Sequence, residues 1–286
     1  MYASINGVRV GGYDLPLVIS GLESALGTVR ADDATMPWTH GARPGLDWLE
    51  PGAVTLTVST GAGIGWTEAL RLHEKLAAAW RADLAAQPGQ LTELTLEAGG
   101  RTRVLLGRCR RLATPIPDGV LVRQGAATTI AEFEVLVPFA FSADWTETTI
   151  TVVPRSLGGI IAPIVTPVTT LLTSGTAYRT ITVTGSAPSP LQVVFHGPAK
   201  DPRLTVGGVE VGIVGDVAYD EHITIDGLTR TALTQDGRPA ATRLTRATQM
   251  HRLTLPQGVH ELQLTATDRT GTAAVTVRAR DAHYTL

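Results

Sequence analysis

The chain has 286 residues, room for one large or two ordinary domains at roughly 150 residues each, so a sizeable core needs no disulfide or metal staple. Hydrophobic residues make up 43% and charged ones 17%, with 30 Gly and 17 Pro, a balance that excludes a disordered chain. A net charge of -2, with no basic run longer than Arg108-Cys109-Arg110-Arg111, excludes the electrostatic footprint of a nucleic-acid binder, and the single Cys109 excludes an intrachain disulfide and a multi-cysteine metal site.

In chain order, the opening Met1-Tyr2-Ala3-Ser4-Ile5-Asn6-Gly7 shows no basic segment followed by an apolar one, so nothing marks the chain for secretion and cytoplasmic synthesis is expected. Trp66, Leu70, His73, Ala77, Trp80 and Leu84 recur at helical steps and Gln87-Pro88-Gly89 supplies a stop, which predicts a helix over 66–86 capped by Gly65 or Thr67. Trp66 and Trp80 share the predicted apolar stripe and are expected in the core. The spans 92–97 and 102–110 flank Gly99-Gly100 and read as a hairpin. A further strand is predicted over 128–137, with Phe133, Val135 and Val137 on one face.

Past Pro138-Phe139-Ala140-Phe141 the composition shifts to Thr, Pro and Gly, and the domain boundary is expected there: a first domain over 1–150, a Gly/Pro/Thr-rich linker over 151–176 and a second domain over 177–286. The most apolar stretch, 160–172, is broken by Pro163 and Pro167 and falls short of the about 20 residues a membrane helix needs. Short strands are predicted over 178–184, 191–196, 203–206, 209–213, 221–225, 228–233, 251–255, 259–267 and 272–280, parted by turns such as Gly207-Gly208 and Asp226-Gly227. Alternating strands broken at roughly ten-residue intervals indicate a mainly β protein: an N-terminal sandwich or barrel-like domain with one α-helix, then a lectin-sized β-sandwich.

Candidate chemistry is sparse. His196, His222, His251, His260 and His283 fall in the second half, but none has the i, i+2 spacing of a strand-borne zinc site, so strand-end polar residues are expected rather than metal ligands. Cys109 has arginine neighbours, yet on a strand they point to the opposite face and no histidine is nearby in sequence; an inert thiol is expected. Asp201, Asp226, Asp236 and Asp268 sit in turns, where short carboxylates bond to backbone N–H groups, and sequence spacing assembles no glycosidase pair from them. Gly61-Ala62-Gly63-Ile64-Gly65 lacks the spacing and βαβ setting of a phosphate loop. All five tryptophans, Trp38, Trp48, Trp66, Trp80 and Trp145, lie in the first half or at its border, which leaves the second only Tyr178, Phe195, Tyr219 and Tyr284 for a sugar platform. No catalytic, cofactor-binding or metal residue emerges, and no enzyme is expected.

The order of features resembles the distal tail proteins of long-tailed bacteriophages, the minor tail proteins of actinobacterial phages. The resemblance rests on Ile5-Asn6-Gly7-Val8 with Val18-Ile19-Ser20-Gly21-Leu22-Glu23, and on Leu157-Gly158-Gly159 followed by Pro163 and Pro167. It continues through Thr184-Gly185, Asp201-Pro202-Arg203-Leu204, Ile223-Thr224-Ile225-Asp226, Leu255-Pro256-Gln257-Gly258-Val259 and the close at Arg280 to Tyr284. Departures are His260, where the family often has Asn, and Tyr284, where it often ends on Trp. The resemblance implies that the second half is a galectin-like sandwich and that the protein is a virion component, a structural hub at the tail tip. Six copies would form a ring between the tail tube protein and the hub, lysin and receptor-binding proteins beyond it. DNA would pass through the ring without specific contact, and no membrane insertion is implied. Free strands of the 91–111 hairpin are the expected donors to the ring contact. The alternative is a carbohydrate-binding adhesin that contacts host-wall glycan through an exposed aromatic such as Tyr219.

Overall fold

The computed structural model describes residues 1–85, 89–116, 119–152, 173–268 and 272–286, so most of the expected 151–176 linker lies outside the described residues. Contacts divide the chain into unit 1, Met1–Ala143 with His283–Leu286, and unit 2, Asp144–Ala282.

Unit 1 opens with β1 (Tyr2–Ile5), β2 (Val8–Gly11) and β3 (Leu17–Ala25). A ribbon follows, in which β4 (Val29–Ala31) pairs with β7 (Asp47–Leu49) and β5 (Ala34–Thr35) with β6 (Ala42–Arg43). The remaining strands are β8 (Gly52–Thr60), β9 (Thr92–Ala98), β10 (Arg101–Ala113) and β11 (Thr128–Ser142). They join the first three in one sheet of order β2-β1-β9-β10-β11-β8-β3, which curls until it is nearly a closed barrel. Period-two patterning builds it: β8 buries Val54, Leu56 and Val58 and turns the alternate residues outward. Asn6-Gly7 (φ 45 and 79) and Gly99-Gly100 (φ 57 and 75) hold the doubly positive φ of two-residue turns, which matches their twist to the flanking strands.

The helix α1 (Trp66–Arg81) is shorter than 66–86, ending in a 3-10 turn over Ala82–Ala85. Gly65 is its N-cap, without a side-chain bond, and Thr67 lies inside. The buried stripe is Ala69, His73, Leu76 and Trp80, while Trp66 is half exposed and Leu84 is exposed, so the expected core role holds for Trp80 and fails for Trp66. The reason is a second contact: Ala69 packs against Val122 and Ala127 beside the one-turn helix α2 (Val120–Arg123), which turns the helix away from a Trp66-centred stripe. Trp80 meets Phe133 edge to face at 6.3 Å in the core. β11 continues through Pro138, past the predicted end at 137; the ladder to β10 slips there, from Leu105↔Ala140 to Gly107↔Val135, and an irregular stretch tolerates a residue without N–H.

Unit 2 contains β12 (Thr146–Thr151), β13 (Thr173–Val183), β14 (Ser189–His196), β15 (Ala199–Val206), β16 (Val209–Gly212), β17 (Asp216–Val217), β18 (His222–Asp226), β19 (Thr231–Thr234), β20 (Thr254–Leu255), β21 (Gly258–Asp268) and β22 (Ala274–Ala279). Two antiparallel sheets, β12-β22-β14-β18-β19 and β13-β21-β15-β16, share one core that includes Ile150, Ile181, Phe195, Leu204, Ile223, Leu262 and Val277. β12, read as first-domain or linker sequence, pairs with β22 and gives Ile150 to this core. Predicted strands shorten where side chains hold a turn. Asp226 accepts the N–H groups of Leu228 and Thr229 at 2.8 and 3.0 Å, so β19 begins only at Thr231. A 3-10 turn over Met250–Arg252 replaces the first part of the strand predicted over 251–255.

Candidate functional site

The sheet of unit 1 has its edges at β2 and β3, not in the 91–111 hairpin. β9 pairs with β1 on one side and β10 on the other, and β10 pairs onward with β11, so the hairpin offers no free edge and the expectation that it donates a ring contact is corrected. Alternation along these strands fixes only which face is apolar; pairing with β1 and β11, distant in sequence, is what makes the hairpin interior.

The unsatisfied surface is the ribbon between β3 and β8. Every residue from 28 to 48 is exposed, including Val29, Leu46 and Trp48, and Trp38 at the tip is as open as in an extended peptide. The ribbon is ordered by its own backbone: the Glu50 N–H donates to the Thr28 carbonyl at 2.9 Å, Asp32 to Leu46 at 3.2 Å and Met36 to Gly41 at 3.3 Å. Trp38 has φ 70, a left-handed conformation costly for a bulky residue, which turns the chain at the tip and presents the indole to solvent. A two-stranded ribbon whose residues are all exposed is marginal in water by itself, and its Val, Leu, Met and Trp side chains form an apolar surface open to solvent. At its base, Gly27, Thr28, Pro51 and Gly52 line an open cleft of about 500 Å³ together with Arg110, Glu132 and Glu134, where the Arg110 guanidinium donates to Glu134 at 2.5 Å.

The other candidates stay dispersed. Cys109 is half-buried on β10, opposite Phe133 and against the unit 1 core. Asp226 shows the local bonding expected of a turn carboxylate, whereas Asp201 stands within β15 and accepts the N–H of the sequence-distant Gly215 at 2.8 Å, and Asp268, at the end of β21, accepts that of Ala273 at 2.8 Å. His283 bonds Ser142 at 3.2 Å and Tyr284 packs on Phe139, so both serve unit 1. Trp145 belongs to unit 2, where Arg280 lies over its ring. His260 bonds the Pro256 carbonyl, and His251 is exposed. His196 and His222, far apart in sequence, face each other across β14 and β18. Among the described residues no group of three or more His, Cys, Asp or Glu is placed to hold a metal, and no helix is long and apolar enough to cross a membrane. The Glu221 carboxyl, which burial alone would raise, is held below the usual range by the Ala218 N–H and the Arg243 guanidinium; Arg243 also donates to the Asp216 carbonyl, so the pair anchors a loop.

These features define a class: a two-unit, mainly β protein with a near-barrel, one long helix and an exposed ribbon in the first unit and a two-sheet sandwich in the second. Solved phage structures align with this chain over nearly its whole length. The Dit protein of phage SPP1, described as a paradigm of the hub adsorption apparatus in phages that infect Gram-positive bacteria, aligns with a TM-score of 0.62 at 12% identity over 98% of each chain. A chain of the phage P2 baseplate in its activated conformation with Ca aligns with a TM-score of 0.56 at 10% identity, over 100% of this chain and 99% of that one. The corresponding phage p2 structure with Sr gives 0.55 at 10% identity, over 100% and 98%. No family model matches the sequence, and no curated protein matches it. The chain therefore has the fold of phage distal tail hub proteins, as the resemblance in its sequence indicated.

Proposed function

We propose that this protein is a structural hub of a long-tailed phage tail tip. In this reading six copies close a ring that joins the tail tube to the baseplate and its receptor-binding apparatus, and the protein acts by assembly rather than catalysis. The observation that carries the reading is the likeness to the SPP1 hub protein over 98% of both chains. The ribbon supports it: a closing ring needs a heterologous, head-to-tail contact, and an arm whose apolar side chains are exposed among the described residues is suited to reach a neighbouring copy.

The test is the solution mass of the purified chain with negative-stain images of the same sample. Six copies of 30.2 kDa give about 181 kDa and rings with a central opening. Changing Trp38 and Val29 to Ser is expected to leave the secondary structure intact while dissociating the ring, because both side chains are already exposed in the single chain. A strict monomer at high concentration, alone and with a tail-tube partner, overturns the ring. The carbohydrate-binding reading keeps one observation, the exposed Tyr178 and Tyr219 of unit 2; saturable binding of host-wall polysaccharide that is lost in Tyr219→Ala would favour it.

A further inference from the structure

The sandwich of unit 2 carries a histidine pair that no sequence spacing announces. His196, the last residue of β14, is directly opposite His222, the first of β18, and their rings are 6.0 Å apart, centre to centre, with planes tilted by 41°. Both are half-buried on the outer face of their sheet, since their neighbours Phe195 and Ile223 point into the core. Thr276 on β22 bonds His196 Nε2 at 3.0 Å and is itself bonded to Thr149 at 3.1 Å. Among the described residues the His222 ring makes no hydrogen bond, and its close polar neighbour is the other imidazole.

We propose that His196 and His222 form a two-ligand site for a borderline divalent transition-metal ion, Zn²⁺, Ni²⁺ or Cu²⁺, which would clamp β14 to β18 with solvent completing its shell. Two imidazole nitrogens about 2.0 to 2.1 Å from a shared ion place their ring centres about 5 to 6 Å apart, so the observed spacing needs little rotation of either ring. Thr276 fixes one nitrogen of His196, as outer partners of metal-bound imidazoles commonly do, and leaves the other available. Glu147, on β12, is taken up by Arg278 at 2.7 Å. With two nitrogen ligands and no acidic cage, oxygen-seeking Ca²⁺ and Mg²⁺ are not held, which sets the site apart from a calcium site. The pairing is read from unit 2 alone and is independent of the hub reading.

The experiment is a calorimetric titration of the full chain with ZnCl₂ and NiCl₂, alongside Cu²⁺ paramagnetic resonance. One ion per chain is expected, with Cu²⁺ showing two nitrogen ligands. In His222→Asn the affinity falls at least about tenfold and the two-nitrogen signal is lost, whereas His251→Asn and His260→Asn bind as the parent does. Binding that survives unchanged in His222→Asn overturns the proposal, as does a parent chain that takes up none of the three ions below millimolar concentration. If His222→Asn does not fold, the parent chain decides: a Cu²⁺ signal with a single nitrogen overturns it.

Discussion

His73 is the one fully buried histidine of unit 1, with Nδ1 2.7 Å from the Thr129 hydroxyl and Nε2 3.2 Å from that of Thr60. Both contacts serve a neutral ring, and burial holds its imidazole below the ordinary range against a smaller opposing effect of the Ala127 backbone. The unfolded chain therefore binds a proton at this residue before the folded one does. Stability is full above the unfolded value of about 6.5 and declines as pH falls from there toward the lower folded value. Denaturant midpoints of unit 1 measured between about pH 8 and pH 5 are expected to fall on acidification, and in His73→Gln the fall is shallower from a lower starting point. An identical pH slope in the variant would remove His73 as the cause. His196 carries a shift of the same direction in unit 2, so its transition is expected to weaken on acidification as well.

At the scale of elements, β10 turns on Gly107. A side chain there would place its first carbon 1.8 Å from the Glu134 carbonyl oxygen and 2.9 Å from the Phe133 ring, and neither backbone nor a core aromatic can move aside cheaply. Gly107→Ala is expected to cost more than about 2 kcal/mol, far beyond the usual effect of that substitution, as read by chemical denaturation. Gly107 also marks where the ladder to β11 slips, so one small residue sets both the close approach and the register beyond it. The ribbon shows the reverse case. Its strands are two or three residues long and carry no alternation toward a core, because no core lies beside them, and so they leave no periodic trace in the sequence. What did show there was a concentration of tryptophans in the first half; that Trp38 and Trp48 stand in solvent is a matter of tertiary placement.

For the whole molecule, the two large hydrophobic cores among the described residues lie one in each unit, around Phe133, Trp80 and Leu105 in unit 1 and around Phe195, Ile223 and Leu204 in unit 2, beside the small cluster of Ala69, Val122 and Ala127. Phe133 and Phe195 are both fully buried, so truncating either leaves a cavity that strand backbones cannot close. Phe133→Ala is expected to destabilise unit 1, and Phe195→Ala unit 2, each by about 3 to 5 kcal/mol. Hydrogen exchange resolved along the chain checks this: protection should fall in β8 to β11 for the first variant and in β14, β18 and β22 for the second. A uniform loss in both would show that the cores do not act as separate bodies.

Period-two patterning, the Gly99-Gly100 turn and the helical recurrence from Trp66 are properties of consecutive residues, and they sufficed to indicate a mainly β chain with a helix beginning at Trp66, whose end at Arg81 rather than 86 they did not fix. The distal-tail resemblance was read from the order of short turn and strand signatures in this chain, and solved phage structures share its fold at only 10 to 12% identity. Partner choice is not a local property. That β12 pairs with β22, that the 91–111 hairpin is interior, that Ala69 rather than Trp66 faces inward, and that His196 meets His222 each depend on residues far apart in sequence. A strand pattern specifies which face is apolar but not which strand will cover its edge, and only packing in three dimensions decides that.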